Sequence, residues 1–165
     1  MEQKYVKEAF DTNWVVPMGP NVNAFEQNLA DFSNRNSDGS MLDHKVVCLS
    51  AGTAAVHLAL IACGVEAGDE VCVQSFTFCA SSHPITYLGA KPIFIDSERD
   101  TWNMDPELLE KAIIDRKEKT GKYPKAIIPV ALYGMPYDCE RIMAVAEKYL
   151  ESKYNTKKTT NLQSH

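Results

Sequence analysis

Apolar and polar positions along the chain fall into short blocks whose period changes, and the blocks predict its elements. Glu2 to Phe10 spaces its apolar residues as a short amphipathic helix does. Asp11 to Pro20 holds two prolines and Trp14 and reads as a loop, either a rigid linker or a lip over a pocket. Asn23 with Glu26 three residues later forms a capping-box pattern, after which Phe25, Leu29 and Phe32 share one helical face. The polar run Asn34 to Ser40 closes that helix as an exposed turn. Val46–Leu49 is wholly apolar, as a parallel strand covered on both faces would be. Thr53 to Cys63 is rich in alanine and leucine and predicts a helix, with Gly64 placed as its C-terminal cap.

The second half continues the pattern. Glu70–Gln74 and Pro92–Asp96 predict strands, and Phe76 to Leu88 predicts a helix with Pro84 near its start or at a kink. Asp105 and Pro106 supply an N-cap and a first-turn proline for a helix through Ile114. Arg116 to Tyr123 reads as a charged connection, Lys125–Val130 as a fourth strand and Tyr133–Pro136 as a turn. Asp138 caps a last helix with Ile142, Val145, Ala146 and Tyr149 at helical spacing. Strands alternating with helices in this way give a layered α/β fold with a mostly parallel sheet.

Composition narrows this picture. A chain of 165 residues fits one domain better than two, here 1–150 followed by a polar tail, 151–165, expected to be disordered. A net charge of -5 argues against nucleic acid or an acidic membrane surface as the main partner. No apolar run reaches membrane-spanning length and Met1–Lys4 is no signal peptide, so a cytoplasmic protein is expected. The five cysteines are odd in number and lack C-x-x-C spacing, which points to reduced, buried thiols and to no metal site. The four histidines are scattered; His57, in the predicted helix after Gly52, is expected to be a packed residue.

Two stretches carry candidate chemistry. Ser50-Ala51-Gly52-Thr53 joins an apolar run to a helix start, where open N–H groups, the helix dipole and hydroxyls favour an anion such as a phosphate. Ser75-Phe76-Thr77-Phe78 follows the next strand and offers an aromatic ring to a flat ligand. Both lie beyond the carboxyl ends of predicted strands, where ligands bind in parallel sheets. Together they describe a site for a phosphorylated planar cofactor; the same residues also read as a capped helix followed by core phenylalanines. A dinucleotide fold is disfavoured, since no G-x-G-x-x-G follows any strand.

Several motifs in register resemble one family closely: Val47–Leu60 (VCLSAGTAAVHLAL), Phe76–Ala80, Leu88–Pro92, Asn103–Pro106 and Ile128–Pro136 (IPVALYGMP). With Gly19-Pro20 and Phe25-Glu26 as lead-in, the chain from about Lys4 to Tyr149 resembles the DegT/DnrJ/EryC1/StrS group of pyridoxal-phosphate-dependent sugar aminotransferases. The resemblance implies part of a type I aminotransferase large domain. It implies that Gly52, Thr53 and the amide of Ala54 hold the cofactor phosphate and that Phe78 stacks on its ring. It also implies a homodimer that moves an amino group, usually from glutamate, onto a nucleotide-linked keto sugar.

That family carries two further groups, an acid for the pyridine nitrogen and a lysine for the cofactor's aldehyde, beyond the point where the resemblance stops. Tyr149 is followed by Leu150–Asn155, which holds no apolar strand. Lys45, Lys91 and Lys125 stand at predicted strand starts, the wrong edge of the sheet, and Lys153, Lys157 and Lys158 lie in the polar tail. The expectation is a shortened member, the N-terminal part of the large domain, with a partial cofactor site, no catalytic residue of its own and no activity alone. A dehydratase of the same family and a non-catalytic binding or pairing domain stay open as alternatives.

Overall fold

The computed structural model describes residues 1–35, 40 and 42–149; the expected tail and part of the Asn34–Ser40 turn lie outside them. The chain divides into two compact units, Met1–Ser50 and Ala51–His165.

The first unit holds helices α1 (Glu2–Asp11) and α2 (Pro20–Ser33). Helix α2 starts earlier than the capping-box pattern suggests, because Pro20 already occupies the first helical position with Gly19 before it. Asn23 therefore donates its amide to Gly19 O at 3.0 Å, inside the helix, instead of capping it. The Glu26 carboxylate is used elsewhere in this unit, accepting from the Cys48 amide at 2.7 Å. The predicted strand Val46–Leu49 does not form. Its composition suits a strand, yet its neighbourhood binds side chains: His44 N donates to Asn34 Oδ1 and Asn34 Nδ2 donates to His44 O, both at 2.9 Å. Without a pairing partner, apolar character alone does not make a ladder.

The second unit holds α3 (Gly52–Ala62), β1 (Glu70–Gln74), a 3₁₀ turn at Cys79–Ser81, α4 (His83–Tyr87), β2 (Lys91–Ile95), α5 (Pro106–Thr120), β3 (Ala126–Ile128), a second 3₁₀ turn at Leu132–Gly134, and α6 (Cys139–Tyr149). The three strands run parallel in the order β2-β1-β3, with Cys72 opposite both Ile93 and Ile127. Alternation along β1 sends Val71 and Val73 to one face and Cys72 to the other. The first face packs on Leu60 of α3 and Ile85 of α4; the second packs on Leu109 and Ile113 of α5 and Ile142 of α6. Helices thus cover both faces of the sheet, and the apolar run of β1 reflects burial on each side.

Two glycines close the helices of the first face. At the end of α3, Gly64 takes φ 73, Gly64 N donates to Ile61 O and Val65 N donates to Leu60 O, a Schellman cap that brings Val65 into the core beside Leu60. Gly89 repeats the motif after α4, and a Cβ there would stand 3.0 Å from that of Ala67.

The predicted Phe76–Leu88 helix shrinks to α4 and the preceding 3₁₀ turn. Hydroxyls in this stretch compete for the backbone: Ser82 Oγ donates to Cys79 O at 3.1 Å, and the Thr77 and Ser81 hydroxyls bond each other at 2.9 Å. Helix α5 runs past Ile114 to Thr120, so Arg116 is helical and the left-handed Gly121 ends the element. From α5 the Arg116 guanidinium donates twice to the Glu70 carboxylate, at 2.7 and 2.9 Å, and ties the helix to the start of β1. Among the described residues no helix is long and apolar enough to cross a membrane.

Candidate functional site

Gly52, Thr53 and Ala54 form the first turn of α3. Ala51, the residue before it, is extended and offers no side-chain acceptor, and no side chain caps the helix. The first internal bond is Ala55 N to Ala51 O at 3.1 Å, which leaves the amides of Gly52, Thr53 and Ala54 at the positive end of the helix without a helical acceptor. Gly52 is exposed, with open space where a Cβ would stand, while Thr53 and Ala54 are half-buried. An anion would meet backbone donors there with no side chain in the way.

Phe78 stands at the start of the 3₁₀ turn Cys79–Ser81, and that turn packs against α3. The structure therefore brings all four expected cofactor residues into the second unit. It rejects the reading of these residues as a capped helix with core phenylalanines: α3 has no side-chain cap, Phe76 is half-exposed and Phe78 is 78% exposed. Ser50 belongs to the first unit. His57 is a packed residue, edge-on to Tyr87 at 5.7 Å between ring centroids.

The carboxyl ends of the strands also carry residues that the sequence reading passed over. Gln74 ends β1 fully buried and Asn103 is 1% exposed, each bonded to loops after other strands. Beside them Phe76, Trp102, Leu132 and Tyr133 line an apolar cleft of about 400 Å³. The signal for Gln74 was a lone amide directly after the apolar run Val71–Val73; buried polar groups need partners, so its burial implied a network.

Charge at this edge is acidic. A second cleft, of about 440 Å³, is lined by Glu98, Asp100, Asp105, Glu107 and Asp138, with Arg141. Hydrogen bonds from Thr101 and the Asp100 amide hold the Glu98 carboxyl below its ordinary range. On the sheet, burial pushes the Cys72 thiol up to about 12, so it is not a thiolate at neutral pH. The expectation of buried cysteines holds for Cys72 alone: Cys63, Cys79 and Cys139 are exposed and Cys48 is half-buried. Lys91 and Lys125 bond through their amides to Asp69 O and Glu70 O at the amino edge of the sheet, away from the Phe78 loop. No metal-binding cluster occurs among the described residues.

Comparison with known proteins decides the kinship. The DegT/DnrJ/EryC1/StrS aminotransferase family matches residues 1–150. The chain belongs to this family. EpsN of Bacillus subtilis, which bears the name of a pyridoxal phosphate-dependent aminotransferase, is 45% identical over 148 residues, covering 90% of this chain and 36% of that protein. GDP-perosamine synthase of Caulobacter vibrioides is 38% identical over 148 residues, with the same two coverages of 90% and 36%. Among solved structures, a family aminotransferase from Brucella abortus superposes with a TM-score of 0.77 at 32% identity, over 88% of this chain and 37% of that one. The fold is accordingly that of the type I aminotransferases, and the chain spans about a third of the length of the relatives it matches.

Proposed function

We propose that the chain is the N-terminal part of a pyridoxal-phosphate-dependent aminotransferase acting on a nucleotide-linked keto sugar, with glutamate as amino donor. The observation that carries this reading is the open first turn of α3 in a chain of this family. The residues present fit the phosphate end of the cofactor: the amides of Thr53 and Ala54 and the Thr53 hydroxyl donate, and Gly52 leaves room for close approach. Phe78 presents its exposed ring to the face of the pyridine. When bound, the cofactor supplies an electron sink for the amino-bearing carbon.

In this reading the chain orients the cofactor and does not move protons on it. Lys91 and Lys125 stand at the opposite edge of the sheet, and the remaining described lysines of the second unit lie on the helices α5 and α6, at Lys122 or in their connections. We assign both units, 1–150, to one large domain, continuous in the family match. A homodimer in the cytoplasm completes the assignment: the free thiols suit a reducing compartment, and the dimer rests on the family resemblance.

Titration with pyridoxamine phosphate tests the site, since that form needs no lysine. The chain is expected to bind it, and Thr53→Val is expected to weaken binding about tenfold by removing a charge-assisted hydrogen bond. Equal binding by the variant would overturn the phosphate assignment. Conversion of a nucleotide keto sugar by this chain with glutamate and cofactor would overturn its inactivity alone.

A further inference from the structure

Three loops leave the carboxyl ends of β1, β2 and β3, and two buried amide side chains join them. Gln74 uses its full hydrogen-bonding capacity. Its Nε2 donates to Phe76 O at 2.9 Å and to Trp102 O at 3.4 Å. Its Oε1 accepts from Met104 N at 2.9 Å and from Val130 N at 3.4 Å. Asn103 makes the second junction: Leu132 N donates to its Oδ1 at 2.9 Å, and its Nδ2 donates to Met135 O at 3.0 Å. β1 is the central strand, so these bonds cross to the loops on either side of it.

The loops so joined hold an uncommon backbone. Trp102 takes φ 64 and Tyr133 φ 49, a left-handed region that bulky residues rarely adopt. Such a conformation persists only where the surroundings over-determine it. Here Trp102 O is held by Gln74, and Tyr133 lies between Leu132 and Met135, both held by Asn103. Both strained aromatic residues line the same cleft as Phe76, two residues from Phe78. The cleft lies at the carboxyl edge, where the chain leaves β1 for β2 on one side and then crosses back from β2, through α5, to β3 on the other; parallel sheets bind ligands at such a reversal of strand order.

We propose that Gln74 and Asn103 are positioning residues, a buried amide clip that fixes the three loops and thereby the loop carrying Phe78; its effect on cofactor binding rests on the function proposed above. The clip needs no contact with the ligand. Its members set where Phe76, Trp102 and Tyr133 stand, and loss of the clip lets Trp102 and Tyr133 leave the strained conformation.

The test uses the 165-residue chain with Trp14→Phe, which leaves Trp102 as its single tryptophan. Gln74→Met keeps the volume and drops all four bonds; Gln74→Glu, read in its ionised form at a pH above the raised pKa of the buried carboxyl, keeps the acceptors for Met104 and Val130 and loses both donors. Exchange of the Met104 and Val130 amides, fluorescence anisotropy of Trp102 and affinity for pyridoxamine phosphate are read, with the Ile113 amide as control. Gln74→Met is expected to speed exchange at Met104 and Val130 about tenfold and to weaken binding about tenfold, with Ile113 unchanged. Gln74→Glu is expected to restore the two amides while Trp102 stays loosened, a split that a general loss of stability would not produce. Unchanged exchange in Gln74→Met, or an immobile Trp102 in Gln74→Glu, overturns the clip. If Gln74→Met does not fold, Gln74→Glu alone decides. A parent chain that binds no pyridoxamine phosphate overturns the cofactor reading, while the exchange and anisotropy arms still decide the clip.

Discussion

Helices α3 and α5 begin in opposite ways. At α5, Asp105 Oδ1 accepts from Glu107 N at 2.7 Å and from Leu108 N at 3.3 Å, and Pro106 fills the first position, so the helix start is satisfied by its own sequence. At α3, Ala51 has no side-chain oxygen to offer, glycine comes first, and among the described residues the first three amides have no acceptor. The flanking packing differs in the same sense. Helix α5 buries Pro106, Leu109 and Ile113, whereas α3 buries Leu60 alone and leaves Leu58 and Ile61 about half exposed. One helix is committed to holding the sheet. The other holds the sheet by one buried side chain and, among the described residues, leaves its first-turn amides without an acceptor.

The comparison breaks most visibly in stability. Leu109→Ala removes a fully buried side chain from the second face of the sheet and is expected to cost about 2–5 kcal/mol in urea unfolding. Leu58→Ala on α3, at a site 44% exposed, is expected to stay within about 0.5 kcal/mol. Comparable losses at the two positions would show that α3 anchors the sheet as firmly as α5 does.

A smaller effect separates the two helix starts themselves. Asp105→Ala is expected to lower stability by about 1 kcal/mol and to leave pyridoxamine phosphate binding unchanged. Ala51→Asp gives α3 the cap it lacks. It is expected to raise stability by up to about 1 kcal/mol while weakening binding about tenfold, because the new carboxylate occupies the donors and repels the phosphate. Calorimetric unfolding and titration of the same two samples read both quantities. If Ala51→Asp stabilised the chain and binding were untouched, the open turn would not be the phosphate site.

These contrasts also explain what was legible in the sequence. The start of α5 was readable because Asp105-Pro106 is a local signal, complete within a few residues. Strands β1 and β2 were readable because each centres on an apolar run, Val71–Val73 and Pro92–Ile95, and each came out within a residue. Val46–Leu49 looked the same and is not a strand, since a ladder depends on a neighbour that local composition does not reveal. Phe76 to Leu88 misled for the converse reason: its hydroxyls bind locally and divert the backbone from a continuous helix. At the site, Gly52, Thr53 and Phe78 stood in short motifs, while Gln74 and Asn103 act on residues up to 56 positions away. No periodicity encodes that distance; only the parallel crossover creates it.

The finest distinction between the two helices is electrostatic. Glu110 on α5 accepts from Lys148 Nζ at 2.7 Å and from the Tyr149 hydroxyl at 2.8 Å, which fastens α6 across it. Those hydrogen bonds, the lysine's first, hold the Glu110 carboxyl below its ordinary value of 4.5. A carboxyl depressed in the folded state binds fewer protons there than when unfolded, so its contribution is present above pH 4.5 and fades as pH falls through the folded value. Glu110→Gln is therefore expected to lower the melting temperature slightly at pH 7 and to converge on the parent chain as pH falls well below 4.5. The change is the smallest of the set because Lys148 is largely exposed and water screens the pair. A gap between variant and parent that stayed constant as pH fell from 7 to well below 4.5 would mean that the packing of the side chain at 110, and not the charge on Glu110, holds α6 to α5.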